Sequence, residues 1–160
     1  MKVIFLDIDG VLNVHMQEPH DQYGAIFHPQ FVENLKTVID KTGAKIVISS
    51  SWRHDGLDKM QAMWKDRNLP GEVIDITPYF NHYSIRGLEI DKWNQEYKPE
   101  NYVIIDDNSD MLPFQKGNFV CTFKNMTHTD YEDLGYGLTK ECADKAIMIL
   151  ERARKLVPKH

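Results

Sequence analysis

Short, almost wholly apolar runs alternate along this chain with stretches in which apolar residues return every three or four positions. Residues 2–6, Ile46–Ile48 and Tyr102–Ile105 read as strands, with Phe119–Phe123 as a fourth and Glu72–Ile76 as a weaker fifth. Runs that are apolar at nearly every residue suit parallel strands covered on both faces. Helical periods fall between them. Pro29 fits a first helical turn, Phe31, Leu35, Val38 and Ile39 then share one face, and Gly43 is placed to stop the helix. Asp55 is placed to cap a second helix that turns Leu57, Met60, Met63 and Trp64 inward before Pro70-Gly71. A third is expected over Gly87–Tyr97, burying Ile90, Trp93 and Tyr97 and ending before Pro99. The last follows Thr139, carries Ala143, Ala146, Ile147 and Leu150 inward, and sets Arg152, Arg154 and Lys155 at the negative end of its dipole. This order predicts a doubly wound, three-layer α/β/α fold of Rossmann type around a mainly parallel sheet. No repeat, low-complexity tract or linker divides the chain, so a single domain over residues 1–160 is expected. The least regular segments are 13–28, 77–86 and 124–138.

Composition narrows the picture only modestly. At 160 residues the chain is long enough to bury a proper core. A net charge of −5 argues against broad, stable nucleic-acid binding, but leaves nucleotide and phosphoprotein substrates open. Cys121 and Cys142 lack metal-ligand spacing and read as reduced thiols. No run approaches the roughly 18 apolar residues of a membrane span. No charged leader with an apolar core precedes the first strand, so a cytoplasmic protein without a membrane partner is expected.

The chemistry sits where the strands should end. Asp7 and Asp9 follow the first strand and enter a turn at Gly10. Residues two apart on a strand point the same way, so the two carboxylates converge beyond its carboxyl end. Open α/β sheets bind their ligands there. Two acids held close call for a cation or a shared proton, and Mg²⁺ suits such oxygen donors. The segment 13–28 follows at once and is a candidate flap. Ser49-Ser50-Ser51 ends the second strand, Arg86 precedes a helix, and Asp106-Asp107 closes Tyr102–Ile105. A parallel sheet brings all of these to one edge.

That order resembles the haloacid dehalogenase (HAD) superfamily of phosphohydrolases. Asp7-Ile8-Asp9-Gly10 is similar to its first motif, Ile46-Val47-Ile48 running into serines to its second, and Ile104-Ile105-Asp106-Asp107 to its fourth. The resemblance implies a HAD-like fold and a Mg²⁺-dependent phosphatase that hydrolyses phosphate monoesters. It makes Asp7 the nucleophile that forms an aspartyl-phosphate, and Asp9 the acid and then the base. It gives Mg²⁺ to Asp7, Asp9 through its backbone carbonyl, and Asp106, with Asp107 as a supporting or alternative ligand and Asp110 as a further acid. A serine hydroxyl would hold the phosphoryl oxygens; strand register favours Ser50 or Ser49, while Ser51-Trp52-Arg53 is similar to S-x-R versions of the motif. The third motif is usually a lysine. Arg86 is the cation preferred here, with Lys92 and Lys98 as fallbacks.

About 15 irregular residues follow the first motif and some 50 separate Arg53 from Asp106, too few for a large cap domain. By the resemblance, a capless site suits a phosphorylated macromolecule, either a protein side chain or a nucleic-acid end, and a 3′-phosphatase acting on polynucleotides is among the expectations. A small phosphate ester also remains open. Two other classes compete. A phosphoacceptor signalling domain would place its paired acids near the first strand and its acceptor aspartate later, the reverse of this order. A catalytically idle binding module would have no need of Asp9.

Overall fold

The computed structural model describes residues 1–13, 19–123 and 137–152. In chain order the elements are β1 (Lys2–Leu6), β2 (His20–Asp21), β3 (Gly24–Ala25), α1 (Pro29–Thr42), β4 (Lys45–Ile48), α2 (Leu57–Asp66) and β5 (Val73–Ile76). Then come α3 (Arg86–Tyr97), β6 (Asn101–Asp106), β7 (Phe119–Cys121) and α4 (Lys140–Glu151), with 3₁₀ turns at Ser51–Asp55 and Pro113–Asn118. The main sheet has five parallel strands in the order β5-β4-β1-β6-β7. The chain winds outward from β1 through β4 to β5, then returns to β6 on the other side of β1. That reversal opens a crevice between β1 and β6, the usual ligand position in such sheets.

Alternation along the strands fills both faces. Ile4, Leu6, Ile46, Ile48, Val103 and Ile105 point toward the helix layer of α1, α2 and α4. Val3, Phe5, Val47 and Ile104 meet Ile90 and Trp93 of α3 on the opposite face. Phe5 lies edge-on to the Trp93 ring at 5.4 Å. Each fully buried aliphatic or aromatic side chain of this kind contributes about 1.5–3 kcal/mol by leaving water. The result is the three-layer α/β/α fold that the periodicities predict, and no helix among the described residues is long and apolar enough to cross a membrane.

Helix ends follow the local chemistry. His28 caps α1, its ring Nδ1 accepting from the Gln30 N–H at 3.2 Å, and Gly43 ends it at φ 69°. Thr139 caps α4 through the Cys142 N–H. Three expectations need correction. Asp55 does not cap α2, because Ser50 caps a 3₁₀ turn that takes up residues 51–55 and leaves Gly56 at the helix start. Tyr97, at the last position of α3, is half exposed and stacks on Trp93 at 4.5 Å instead of entering the core. β7 stops at Cys121, and Phe123 beyond it is exposed. Arg152 stands at the C-terminal end of α4, as its charge suits, and its guanidinium donates to the carbonyl of Gly117 at 2.6 Å. Arg154, Lys155 and most of the irregular segment 124–138 lie outside the described residues.

Candidate active site

Each strand's ladder runs one rung past its end. The Asp7 N–H donates to Ile105 O at 3.0 Å, Ser49 to Leu6 O at 2.9 Å, Thr77 to Ile48 O at 3.0 Å and Thr122 to Asp106 O at 3.0 Å. Asp7, Ser49 and Asp106 are therefore neighbours on one rung, and alternation puts all three on the α3 face, beyond Phe5, Val47 and Ile104. All three are buried. The Ser49 hydroxyl is buried with no hydrogen-bond partner, whereas Ser50 Oγ accepts from the Trp52 N–H at 3.2 Å. Of the two serines, Ser49 thus has the hydroxyl free to take a ligand oxygen.

Arg86, the first residue of α3, reaches down to this rung. Its Nη1 lies 3.0 Å from Asp7 Oδ1 and 3.0 Å from Asp106 Oδ2. The helix start is fixed from behind. Asp110 Oδ2 accepts the Arg86 N–H at 3.0 Å, and the Asp110 carbonyl accepts the Gly87 N–H at 3.1 Å. Gly87 permits that approach, since a Cβ there would sit 2.6 Å from Gln115 Oε1 and 2.7 Å from Leu112 N. Gln115, fully buried, bonds Gly87 O and the Leu112 N–H at 2.9 and 2.8 Å. Asp110 thus holds the cation's backbone. Lys92 and Lys98 are exposed, and it is Arg86 that pairs with Asp7 and Asp106.

Asp9 takes a different position from its neighbour. Its carboxylate is exposed, and Oδ1 accepts from Asn13 Nδ2 and from the Trp52 indole N–H, both at 3.0 Å. The turn between them needs Gly10, which sits at φ 79° and lies so close to Asp107 that a Cβ would overlap its carboxylate. Gly10→Ala should destabilise the fold by about 1–3 kcal/mol through the forced backbone conformation. Displacement of Asp107 should add to that loss. Urea unfolding of the metal-free protein measures it; a change below 0.5 kcal/mol would show that the loop simply shifts aside.

The described part of the flap segment holds the β2–β3 hairpin, tied to α2 by Arg67. That guanidinium donates to both Asp21 oxygens at 2.6 and 2.8 Å and to Gly24 O and Ala25 O at 3.0 Å. Its plane also lies over Phe27 at 4.7 Å. Gly24, at φ 123°, rests on the Trp52 ring, where a Cβ would stand 3.1 Å from the ring edge.

Arg53 is buried and paired to Glu89 of α3 at 2.9 Å, both side chains out of water. Glu89→Ala leaves a buried guanidinium without its counter-charge and should cost about 3–5 kcal/mol, while Glu89→Gln, which keeps an acceptor, should cost less. Denaturant midpoints compare the two; equal losses would mean that charge is irrelevant at this pair.

Asp7, Asp106 and Asp107 each offer a carboxylate oxygen within 4.8 Å of the others. Burial pushes the Asp7 carboxyl well above the usual aspartate range, and the neighbouring Asp106 pushes it further. Asp106 is raised as well, again chiefly by burial, with Arg86 opposing the shift. Burial works against the charge on Arg86, but Asp106 and Asp7 outweigh it and the guanidinium stays protonated. The donors are all hard oxygens, and one arginine is shared between two buried acids. That set fits Mg²⁺, which takes few carboxylates and keeps its waters. The Asp9 side chain stands outside this group of acids.

Sequence reasoning passed over Trp52, Asn13 and Arg67. Trp52 stands in the sequence only as the middle of Ser51-Trp52-Arg53, and its indole N–H shows the link to Asp9. Asn13 reads as the beginning of a loop. No local signal marks Arg67, whose partners lie more than 40 positions away.

No curated protein matches the chain. The family described as the HAD domain in Swiss Army Knife RNA repair proteins matches residues 3–130, from the first strand past Asp110. With its Asp7-Ile8-Asp9-Gly10 turn, its serine-ended β4 and its acid-ended β6 set around one crevice, this chain belongs to that family of the HAD superfamily.

Proposed function

We propose that this protein is a Mg²⁺-dependent phosphohydrolase that removes a terminal phosphate from RNA through an aspartyl-phosphate on Asp7. The observation that carries the reading is the convergence of Asp7, Asp106 and Asp107 within 4.8 Å, with Arg86 across two of them and Asp9 two residues beyond the first. The family's description, with its reference to RNA repair, supports an RNA end as the substrate class.

Asp7 Oδ attacks phosphorus in line. A bond forms from Asp7 to phosphorus and the ester P–O bond breaks, while Asp9 gives its proton to the leaving hydroxyl. Arg86 and the Ser49 hydroxyl hold the non-bridging oxygens and take up the charge that develops on them. Water then attacks phosphorus as Asp9 takes its proton back, the Asp7–phosphorus bond breaks, and orthophosphate leaves. Asp7, Asp106 and the Asp9 carbonyl, with Asp107 beside them, would hold Mg²⁺, which would supply the positive charge that lets two anions approach. Asn13 and Trp52 keep Asp9 in place beside the leaving group. Asp9 also separates this reading from a phosphoacceptor switch, where no group is needed to discharge the acyl-phosphate. A cytosolic setting with reduced thiols belongs to the same proposal.

Orthophosphate release from a 3′-phosphorylated oligoribonucleotide, measured with and without Mg²⁺, tests it. Release that depends on the metal is expected. Failure on that substrate, on sugar phosphates and on phosphopeptides alike would leave only a binding module.

A further inference from the structure

Three large apolar side chains that water reaches lie within five residues of one another between β5 and α3. Tyr79 is 45% exposed, Phe80 47% and Tyr83 96%. Such a cluster at the mouth of a site is unusual for a surface with nothing to meet. The segment is also held in shape. The Phe80 N–H donates to Glu89 Oε2 at 3.2 Å, and the Tyr79 hydroxyl pairs with His82 Nδ1 at 2.9 Å. His54 meets the Tyr79 ring edge-on at 5.0 Å, and the Arg53 guanidinium lies 5.7 Å from its centre.

A cavity of about 190 Å³ opens between this segment and the catalytic cation, with Arg86 and Asp110 on one wall and Tyr79, Asn81 and His82 on the other. A second, of about 520 Å³, shares Arg53, His54 and Tyr79 with it and runs past Phe80 to Lys92. The two form one depression leading away from the reacting rung. In its floor Arg53 is 6% exposed, and its Nε–H is buried without an acceptor. A buried cationic donor left unsatisfied beside an open cavity points to a polar group that arrives with a ligand.

We propose that this depression receives the nucleotides next to the terminal phosphate of a single-stranded RNA, with Tyr79 of its lining, and Tyr83 standing exposed outside both cavities beside the lining residues His82 and Ser84, stacking on unpaired bases. The proposal rests on the phosphohydrolase reading above and gives it a substrate-binding surface. Every base has a face to stack, so exposed rings bind single strands with little regard to sequence. The charge supports the same mode. At a net −5 the chain has little general attraction for a polyanion, so affinity must come from short-range contacts around the end. A phosphopeptide would offer few flat surfaces to these rings.

Fluorescence anisotropy of a labelled, 3′-phosphorylated single-stranded oligoribonucleotide, titrated with Asp7→Asn protein in Mg²⁺, tests the proposal. Tyr83→Ala and Tyr79→Ala, each added to Asp7→Asn, should weaken Kd about tenfold, the effect of losing one base stack. Tyr83→Phe and Tyr79→Phe should restore it, because the ring and not the hydroxyl carries the contact. Unchanged affinity in both alanine variants, or equal losses in the phenylalanine variants, would overturn the assignment. So would a phosphoserine peptide that competes as tightly as the RNA. Orthophosphate release from glycerol phosphate by the unsubstituted protein keeps the two readings apart. Turnover there, with no RNA bound by Asp7→Asn, removes the stacking surface and spares the phosphohydrolase. RNA binding that needs the rings, with no turnover of any ester, does the reverse.

Discussion

Asp7→Asn should lower phosphatase turnover by about 10⁴-fold or more, the usual scale for loss of a covalent nucleophile. An amide oxygen is a poor nucleophile toward phosphorus, and the substitution also removes one charge from the rung. The fold should survive it. Asp7 lies in a buried site where Asp106 and desolvation both disfavour its anion. A neutral amide of the same shape stands in for the protonated carboxyl that burial favours in the metal-free chain, and leaves Arg86 paired with Asp106 at 3.0 Å. We therefore expect the metal-free Asp7→Asn protein to melt at or above the temperature of its parent. Orthophosphate release and thermal unfolding measured together are decisive. Turnover within tenfold of the parent would take the nucleophile's role from Asp7, and a lower melting temperature would show that its charge supports the fold.

The second large effect is removal of the metal, and it has a pH signature. In the folded chain Asp106 is raised from 3.8 to about 6 and Asp7 from 3.8 to about 9. A carboxyl whose pKa rises on folding holds its proton more tightly in the native state. The stability it lends is whole below the unfolded value and is lost as pH climbs through the folded one. Chelated protein should therefore grow less stable from about pH 4 upward, as the Asp7–Asp106 pair gives up its two protons in turn. For a chain of this size each 1 kcal/mol lost lowers Tm by about 2–4 °C. Mg²⁺ binds the ionised acids, so it should reverse the trend and stabilise by about 2.7 kcal/mol at a hundredfold excess over its Kd. Turnover should vanish with chelation. Melting curves at pH 5, 7 and 9, with EDTA and with Mg²⁺, read all three effects. A chelated protein equally stable across the range would mean that Arg86 alone neutralises the rung.

The strands and helices were legible because their patterns are local and strong. An apolar run such as Val3–Leu6 has few options beyond a buried parallel strand, and α1 carries both its start and its stop in Pro29 and Gly43. The acids were legible for a related reason. A strand that ends in a carboxylate must deliver it to the edge of the sheet, so Asp7 and Asp106 could be brought together across a hundred residues. What escaped was decided by side-chain competition. Ser50 and Ser49 look alike in sequence, but Ser50 is drawn into capping a turn and Ser49 is not. Asp55 lost its helix to the same turn. Asp9 looks like a third metal carboxylate until an indole and an amide are seen to hold it. The role of Asp110 depends on a loop that doubles back on α3, which no periodicity records.

Arg67 has a reach that its place at the end of α2 conceals. It fastens the β2–β3 hairpin, the hairpin rests on Trp52, and Trp52 donates to Asp9. On the proposed mechanism, a change at the far end of a helix would thus register as a defect in proton delivery, and the aim of Asp9 becomes a property of tertiary assembly rather than of the loop that carries it.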